Sequence, residues 1–181
     1  MKKDTITFAG GCFWCTEAIF KRLKGIIKVI PGYAGGEKEN PSYREVSTGE
    51  TGYAESIQIE FDPSVIPLSK ILDVFWHTHN PTTINQQGAD IGSQYRSVIF
   101  YNSEKQRKTI LKSKERLEKE KVYKEKIVTE ILPFKNFYKA EDYHIDFYDK
   151  NRDYPYCRFV IDPKIQKLLV KYNREIKEEF L

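Results

Sequence analysis

The sequence predicts an α+β fold: a ferredoxin-like core in the order βαββαβ, followed by an extended C-terminal coil and a C-terminal helix. Three observations support this prediction. Residues 53–61 alternate between apolar and polar side chains, as a strand with one buried face does. Residues 13–24 and 67–77 carry apolar stripes with helical spacing. Hydrophobic residues make up 40% and charged residues 31% of the 181 residues, which is typical of one globular domain.

The core elements follow one another with clear turn signals. A strand over residues 5–9 ends at a pair of glycines, and the first helix runs from about residue 13 to 24 with Gly25 as its stop. Pro67 begins the second helix, because proline suits the first helical position. The remaining elements are strands over 26–33, 53–61, 95–101 and about 127–132, with a charged helix before the last strand.

Two stretches lack periodicity. Residues 80–94 form a long loop, and loops of this length are usually functional. Residues 134–156 are rich in Phe and Tyr, and we expect them to wrap around the sheet as ordered coil. Asp162 and Pro163 predict the start of a capped C-terminal helix. We expect residues 1–181 to form a single domain.

Charge and composition exclude several classes of protein. The net charge is +4, but Lys, Arg and Glu alternate over residues 103–126, which indicates a solvated helix face rather than a nucleic-acid surface. No apolar run approaches the roughly 20 residues of a membrane span. Residues 1–4 lead directly into a strand without an apolar signal region, and three cysteines are too few for a disulfide scaffold. We therefore expect a cytoplasmic protein that binds neither nucleic acid nor membranes.

A thiol motif, Gly10-Gly11-Cys12-Phe13-Trp14-Cys15, lies at the turn between the first strand and the first helix. A helix N-terminus carries partial positive charge and free N–H groups, which favour a thiolate. We therefore expect the pKa of Cys12 to lie below its ordinary value, so that Cys12 can act as a nucleophile. The two glycines allow the backbone to approach a substrate closely.

Other interpretations of Cys12 and Cys15 are open at this point. Both could be small buried residues of a first helical turn, as free cysteines often are. A zinc site needs four ligands and the sequence has one C-x-x-C motif, so we expect no bound metal. A general thiol–disulfide oxidoreductase, in which C-x-x-C also opens a helix, is the main alternative function. An RNA-binding module shares the βαββαβ order, but its characteristic strand motif is absent.

Glu55 is the second candidate for chemistry. It falls in phase with Ile57, Ile59 and Phe61, so its side chain is predicted to point to the buried face of the strand. A buried carboxyl has a raised pKa and stays protonated near neutral pH, as a proton donor to a leaving oxygen requires. The alternative is that Glu55 lies at a frayed strand end and reaches water.

Eight motifs lie in one order along residues 10–157: Gly-Gly-Cys-Phe-Trp-Cys-Thr-Glu at 10–17, Gly-Tyr-Ala-Gly-Gly at 32–36, Pro-Ser-Tyr-Arg-Glu-Val at 41–46, Thr-Gly-Tyr-Ala-Glu at 51–55, His-Asn-Pro-Thr-Thr at 79–83, Asp-Ile-Gly-Ser-Gln-Tyr-Arg-Ser at 90–97, Ala-Glu-Asp-Tyr-His at 140–144 and Tyr-Cys at 156–157. This set resembles the peptide methionine sulfoxide reductases of the A type, which act on the S epimer. The resemblance implies a two-layer α+β sandwich with much ordered coil, and neither a metal nor a tightly bound organic cofactor.

The resemblance also implies roles for five residues of the oxygen-binding side of the site. Cys12 matches the cysteine that attacks the sulfoxide sulfur and becomes a sulfenic acid. Glu55 matches the residue that protonates the sulfoxide oxygen. Tyr43 and Tyr95 match tyrosines that hydrogen-bond this oxygen, and Asp90 matches an acidic residue that supports the pocket.

The same resemblance implies that Phe13 and Trp14 form the apolar wall that holds the substrate's S-methyl group.

The resemblance also implies how the cysteine is regenerated: a second thiol condenses with the sulfenic acid, and thioredoxin reduces the resulting disulfide. Cys157 lies in the Tyr-Cys context of the family's resolving position, and we prefer it to Cys15 because a flexible coil can bring a thiol to Cys12 with little strain. Oxidised proteins or peptides are the expected substrates of a monomeric enzyme.

Overall fold

A computed structural model describes residues 2–181. Its strands are β1 (Asp4–Gly10), β2 (Ile26–Ala34), β3 (Ala54–Phe61), β4 (Gln86–Gln87), β5 (Asp90–Ile91), β6 (Ser97–Tyr101), β7 (Glu130–Pro133) and β8 (Phe137–Lys139). Its α-helices are α1 (Phe13–Phe20), α2 (Tyr43–Val46), α3 (Leu68–Thr78), α4 (Glu104–Lys119), α5 (Phe147–Lys150) and α6 (Asp162–Lys171), and a π-helical turn over Cys157–Ile161 leads into α6.

Six strands form one sheet in the order β7-β6-β1-β3-β2-β8. Every neighbouring pair is antiparallel except β6 and β7, which are parallel. The central strand β1 pairs Phe8 with Ile57 of β3 on one side and with Ile99 of β6 on the other. This register brings the end of β1 beside the start of β3, where Glu55 lies, and so places Glu55 next to the thiol motif.

Each face of the sheet has its own core. On one face, Phe8 packs against Phe20 of α1 and Phe75 of α3, with ring centroids 5.5 Å and 4.5 Å away. The opposite face is lined mostly by alanines together with Val98 and Phe100, and the chain around Phe134 and Phe137 covers it. The architecture is therefore a mixed α+β fold, as predicted. Within residues 2–181, no helix is long and apolar enough to cross a bilayer.

The first helix is shorter than predicted. α1 ends at Phe20, and the expected last helical turn is replaced by tight turns and an isolated β-bridge between Leu23 and Ile176, because residues near the C-terminus pair with its backbone. Lys24 N–H donates to the carbonyl of Glu175 at 2.7 Å, and Lys177 N–H donates to the carbonyl of Arg22 at 2.9 Å. Contacts between segments 150 residues apart cannot be detected from the spacing of apolar residues alone.

The C-terminal part is more regular than the predicted coil. Residues 137–139 extend the sheet as β8 beside β2, and residues 147–150 form the short helix α5. The C-terminal helix is present, but Asp162 does not cap it, because α6 continues directly from the π-helical turn. The Asp162 carboxylate instead accepts a hydrogen bond from the Tyr148 hydroxyl at 2.6 Å.

Candidate active site

Cys12 lies between β1 and α1, at the N-cap position of the helix. Its carbonyl accepts hydrogen bonds from the backbone N–H groups of Cys15 and Thr16, at 3.1 and 3.4 Å. The turn before it requires glycine, because Gly11 has a φ of +89° and a Cβ there would lie 2.6 Å from the side chain of Gln87. The Cys12 side chain is 8% exposed, so it is the most accessible of the three cysteines.

The pKa of Cys12 does not follow the prediction. Burial raises it well above its ordinary value, and the neighbouring Cys15 and Glu55 raise it further. Desolvation of a thiolate therefore outweighs the helix N-terminus. Cys15 shows the opposite shift: a hydrogen bond from the Cys12 thiol lowers its pKa to about 7. The pair therefore loses its first proton from Cys15, and the proton of Cys12 is retained.

Glu55 is buried beside this thiol, with 2% of the residue exposed. One of its carboxyl oxygens accepts a hydrogen bond from the Phe13 backbone N–H at 3.0 Å. Burial raises the pKa of Glu55 to about 8, although the bond from Phe13 opposes the shift. The carboxyl is therefore mostly protonated at neutral pH, as its position on the apolar face of β3 predicts.

Two tyrosines face the Cys12 and Glu55 side chains from loops of different parts of the chain. Tyr43 begins α2, which a capping box between Ser42 and Glu45 stabilises, and Tyr95 ends a turn of 3₁₀-helix just before β6. Burial raises the pKa of Tyr43 to about 12, and burial together with Glu55 raises the pKa of Tyr95. Both hydroxyls therefore keep their protons and can donate hydrogen bonds.

An aromatic cluster forms one wall of the site. Trp14 stacks on Phe147 with ring centroids 3.6 Å apart and an interplanar angle of 6°, and its indole N–H donates to His144 Nδ1 at 3.0 Å. Phe13 packs against Tyr43 and the buried His144 ring, which also contact each other. Trp14 is partly exposed, whereas Phe13 is 1% exposed, so the indole forms the accessible part of this wall.

Asp90 reaches the second cysteine through a tyrosine. The Tyr156 hydroxyl donates a hydrogen bond to Asp90 Oδ2 at 2.6 Å and lies 3.7 Å from Cys15 Sγ. Burial and the nearby Cys12 thiol raise the pKa of Tyr156, so its hydroxyl keeps its proton. Cys12 thus faces Glu55 and the two tyrosines above, whereas Cys15 faces Tyr156 and Asp90.

Comparison with known proteins decides the family. A family model described as "Peptide methionine sulfoxide reductase" matches residues 4–177. The chain belongs to the peptide methionine sulfoxide reductase family. The relative "Peptide methionine sulfoxide reductase MsrA" of Sulfolobus acidocaldarius is 56% identical over 169 residues, which cover 93% of this chain and 95% of that protein. The family and the enzyme class predicted from the motifs are confirmed.

Solved structures support the same assignment. The reduced form of Mxr1 from Saccharomyces cerevisiae is 41% identical and has a TM-score of 0.79, with 86% of this chain and 90% of that chain covered. Mxr1 in complex with Trx2 is 32% identical and has a TM-score of 0.56, with 80% of this chain and 85% of that chain covered.

The third cysteine of this reductase differs from its expected setting. Cys157 begins the π-helical turn, is fully buried and has a pKa raised first by burial and then by Cys15. The prediction that a flexible coil carries this thiol is therefore wrong for the reduced protein, because the segment is helical. All three cysteines are free.

Four residues of the reductase site were given no role in the sequence analysis: His144, Phe147, Tyr156 and Glu141. Glu141 accepts hydrogen bonds from the Tyr33 hydroxyl at 3.1 Å and from the Tyr43 N–H at 3.2 Å, which ties α2 to the sheet. All four lie in the aperiodic segment from 134 to 156. Three of them, Glu141, His144 and Tyr156, lie within motifs that carry the family resemblance, which was a signal for the site. Phe147 lies outside these motifs, and aperiodic chain gives no indication of which side chains face the site.

Proposed function

We propose that this reductase converts methionine S-sulfoxide in oxidised proteins and peptides to methionine, with Cys12 as the nucleophile and Glu55 as the proton donor. The observation that carries the proposal is the buried Glu55 carboxyl, whose pKa is about 8 and which lies beside the thiol at the start of α1. A carboxyl that is protonated at neutral pH can stabilise and protonate a departing oxygen.

The first reaction transfers one oxygen atom. The Cys12 sulfur first bonds to the sulfoxide sulfur while the oxygen is protonated. The sulfur–oxygen bond of the substrate and the new sulfur–sulfur bond then break as the oxygen bonds to Cys12, which leaves methionine and a sulfenic acid on Cys12. The substrate sulfur is reduced by two electrons and Cys12 is oxidised by two. Glu55 gives a proton to the oxygen and recovers one from the Cys12 thiol, so that no net proton is consumed.

The two tyrosines are proposed to hold the oxygen during this step. Tyr43 and Tyr95 both keep their protons, and both face Cys12 and Glu55. A hydroxyl that donates to the sulfoxide oxygen stabilises the negative charge that develops as Cys12 attacks. Because Tyr43 and Tyr95 come from separate loops, a small oxygen between them fixes the orientation of the substrate sulfur.

The apolar wall is proposed to select the substrate. Trp14 offers the partly exposed face of an indole, and Phe13 closes the interior of the pocket. A methyl group on sulfur gains about 0.8 kcal/mol for each buried carbon, so this wall favours a methyl sulfoxide. Asp90, held by Tyr156, is proposed to support the opposite rim of the pocket.

A thiol of the chain is proposed to resolve the sulfenic acid, and the contacts of the reduced protein support Cys15 for the first step. Its thiol already shares a hydrogen bond with Cys12, and its pKa of about 7 makes it partly ionised at neutral pH. Attack of Cys15 on the sulfenic acid forms the disulfide and releases water. Cys157, the residue favoured by the sequence, faces Cys15 and is the second candidate.

We propose thioredoxin as the reductant, which supplies two electrons through a dithiol and regenerates both cysteines. A complex of the related Mxr1 with Trx2 supports this.

The chain is proposed to act as a cytoplasmic monomer in which all 181 residues form one catalytic domain. The strand order β6-β1-β3-β2 supports the finer description of a ferredoxin-like core.

A single turnover tests the proposal. Fully reduced protein is mixed with one equivalent of a methionine S-sulfoxide peptide without reductant, and the R-sulfoxide peptide serves as the matched control. Stoichiometric methionine from the S epimer alone, with a disulfide from Cys12 to Cys15 or Cys157 located by mass spectrometry, is the expected result. Intact thiols and unchanged sulfoxide would exclude the proposal.

The alternative function, general thiol–disulfide exchange, is favoured by one observation: Cys12 and Cys15 form a C-x-x-C pair at a helix start, and the pKa of one of them is about 7. Such an enzyme would reduce disulfides in unrelated proteins and leave sulfoxides unchanged. Reduction of an insulin disulfide at a rate comparable to that of the sulfoxide peptide would favour this alternative.

A further inference from the structure

Glu17 makes a contact that the proposed reaction does not use. It lies on α1, is 2% exposed, and both of its carboxyl oxygens lie 3.0 Å from the backbone N–H of Asp146. A buried carboxyl is costly to ionise, and burial raises the pKa of Glu17 to about 7. A residue whose burial is this unfavourable needs a structural or functional reason.

The backbone that Glu17 holds is itself unusual. Asp146 adopts the left-handed conformation, with φ of 56° and ψ of 30°, immediately before α5 begins at Phe147. Non-glycine residues in this region are uncommon, and they persist where their surroundings determine the conformation. The Glu17 carboxyl accepts a hydrogen bond from the backbone N–H of Asp146. This bond fixes the direction in which the chain enters α5.

α5 in turn fixes Trp14. Its first residue is Phe147, whose ring stacks on the indole at 3.6 Å. Trp14 and Glu17 on α1 and Lys21 at its C-cap stand three and four residues apart, so they form one stripe along the helix. All three contact the same segment, because Lys21 pairs with Asp146 and also lies 2.8 Å from Asp149.

We propose that Glu17 is a positioning residue for substrate recognition: its contact with Asp146 holds Phe147 against Trp14 and thereby fixes the orientation of the apolar wall. The inference rests on the proposed role of Trp14 as this wall. Glu17 does not touch the substrate; it acts through the backbone at Asp146 and the ring of Phe147. Loss of its carboxyl leaves the indole without a fixed neighbour on one side.

Three variants test this inference. Glu17→Ala removes the acceptor, Glu17→Gln keeps one oxygen that can accept the Asp146 N–H, and Glu60→Gln is a matched control on β3 at a surface ion pair with Lys3. For Glu17→Ala we expect KM for a sulfoxide peptide to rise on the order of tenfold with kcat within a factor of about three. Glu17→Gln is expected to recover most of the loss, and Glu60→Gln to match wild type.

Tryptophan fluorescence gives a readout that does not depend on activity. Glu17→Ala is expected to change the emission, because Trp14 loses its stacked neighbour, and the change should be absent when Glu17→Ala is made in a Trp14→Phe background. Trp76 remains as the internal reference. An emission change that persists without Trp14 would show a general loss of structure and would overturn the inference.

Protonation of Glu17 gives a further test, should Glu17→Ala fail to fold. Lys21, which follows α1, and Asp146 and Asp149 of the facing segment are the charged groups that act on this carboxyl. Arg22 forms an ion pair with the same Asp149. A neutral Glu17 binds the Asp146 N–H more weakly, so KM of the wild type is expected to rise as pH falls below about 7. KM of Glu17→Gln should lack this rise.

The outcomes separate this inference from the function on which it rests. If Trp14→Ala leaves KM unchanged, the wall itself is misassigned. If Trp14→Ala raises KM but both Glu17 variants match wild type in KM and in emission, the role of Trp14 in substrate binding is supported. Glu17 then has no positioning role.

Discussion

Replacement of Glu55 by glutamine is the sharpest test of the proposed proton donor. The change keeps the size of the side chain and an oxygen that can accept the Phe13 N–H, but it removes the acidic proton. With a pKa of about 8, about nine in ten Glu55 carboxyls are protonated at pH 7. Loss of a positioned acid lowers rates by roughly 10²–10⁴-fold. Because the Gln amide can still donate a hydrogen bond to the oxygen, we expect a loss of about 10²-fold at pH 7.

The pH dependence of this loss distinguishes an acid from a structural residue. Above pH 8 the wild type also lacks the proton, so the rate ratio of wild type to Glu55→Gln should shrink by about tenfold for each further pH unit. Single-turnover methionine formation, measured from pH 6 to pH 10 by rapid quenching, gives this ratio. Glu60→Gln, a surface substitution on the same strand, is the control. A constant ratio across this range, or wild-type turnover at pH 7, would refute the role of Glu55.

The same substitution makes a prediction for stability. The pKa of Glu55 rises from an ordinary value of 4.5 in the unfolded chain to about 8 in the folded protein. The folded state therefore binds this proton more tightly, and the resulting stability is complete below pH 4.5 and is lost as pH rises through about 8. At roughly 1.4 kcal/mol per pH unit, the loss between pH 4.5 and pH 7 is about 3 kcal/mol. Glu55→Gln should lack this loss in urea titrations, so its stability relative to wild type should increase with pH.

Three further predictions concern the neighbours of Glu55. Trp14→Ala should raise KM for the sulfoxide by about tenfold and leave the alkylation rate of Cys12 nearly unchanged; an equal loss of alkylation would contradict the proposed wall. Cys15→Ser should still form one equivalent of methionine but lose most multiple-turnover activity with thioredoxin, whereas full turnover would assign the resolving role to Cys157. Tyr95→Phe should lower kcat by about tenfold with little change in KM, because its hydroxyl acts mainly on charge that develops in the transition state.

The sequence predicted the parts of the site that depend on local patterns. Glu55 was assigned to a buried face by its phase with Ile57 and Ile59, and the glycine pair before Cys12 indicated the strand-to-helix turn. Both features depend on neighbouring residues and on the geometry of one element. The mixed α+β class followed from the same periodicities, since apolar spacing distinguishes strands from helices.

Features that depend on distant segments could not be predicted. The end of α1 at Phe20 depends on hydrogen bonds to residues 175 and 177, and β8 depends on pairing with β2. The pKa of Cys12 was predicted in the wrong direction for the same reason. The position of the thiol at a helix start is visible in the sequence, but its burial in the folded chain is not, and burial is the larger effect.

The raised pKa values of Cys12 and Glu55 explain how the site can stay inactive until a sulfoxide arrives. Each group opposes ionisation of the other, because a charged Glu55 raises the pKa of Cys12. At neutral pH both therefore keep their protons, and a neutral thiol reacts slowly with peroxides and alkylating agents. In the proposed reaction the sulfoxide oxygen takes the Glu55 proton, and the resulting carboxylate then becomes a base for the Cys12 proton. The proposal thereby links attack on sulfur to protonation of oxygen, so the thiol is expected to become reactive only toward a substrate that presents both atoms in the correct positions.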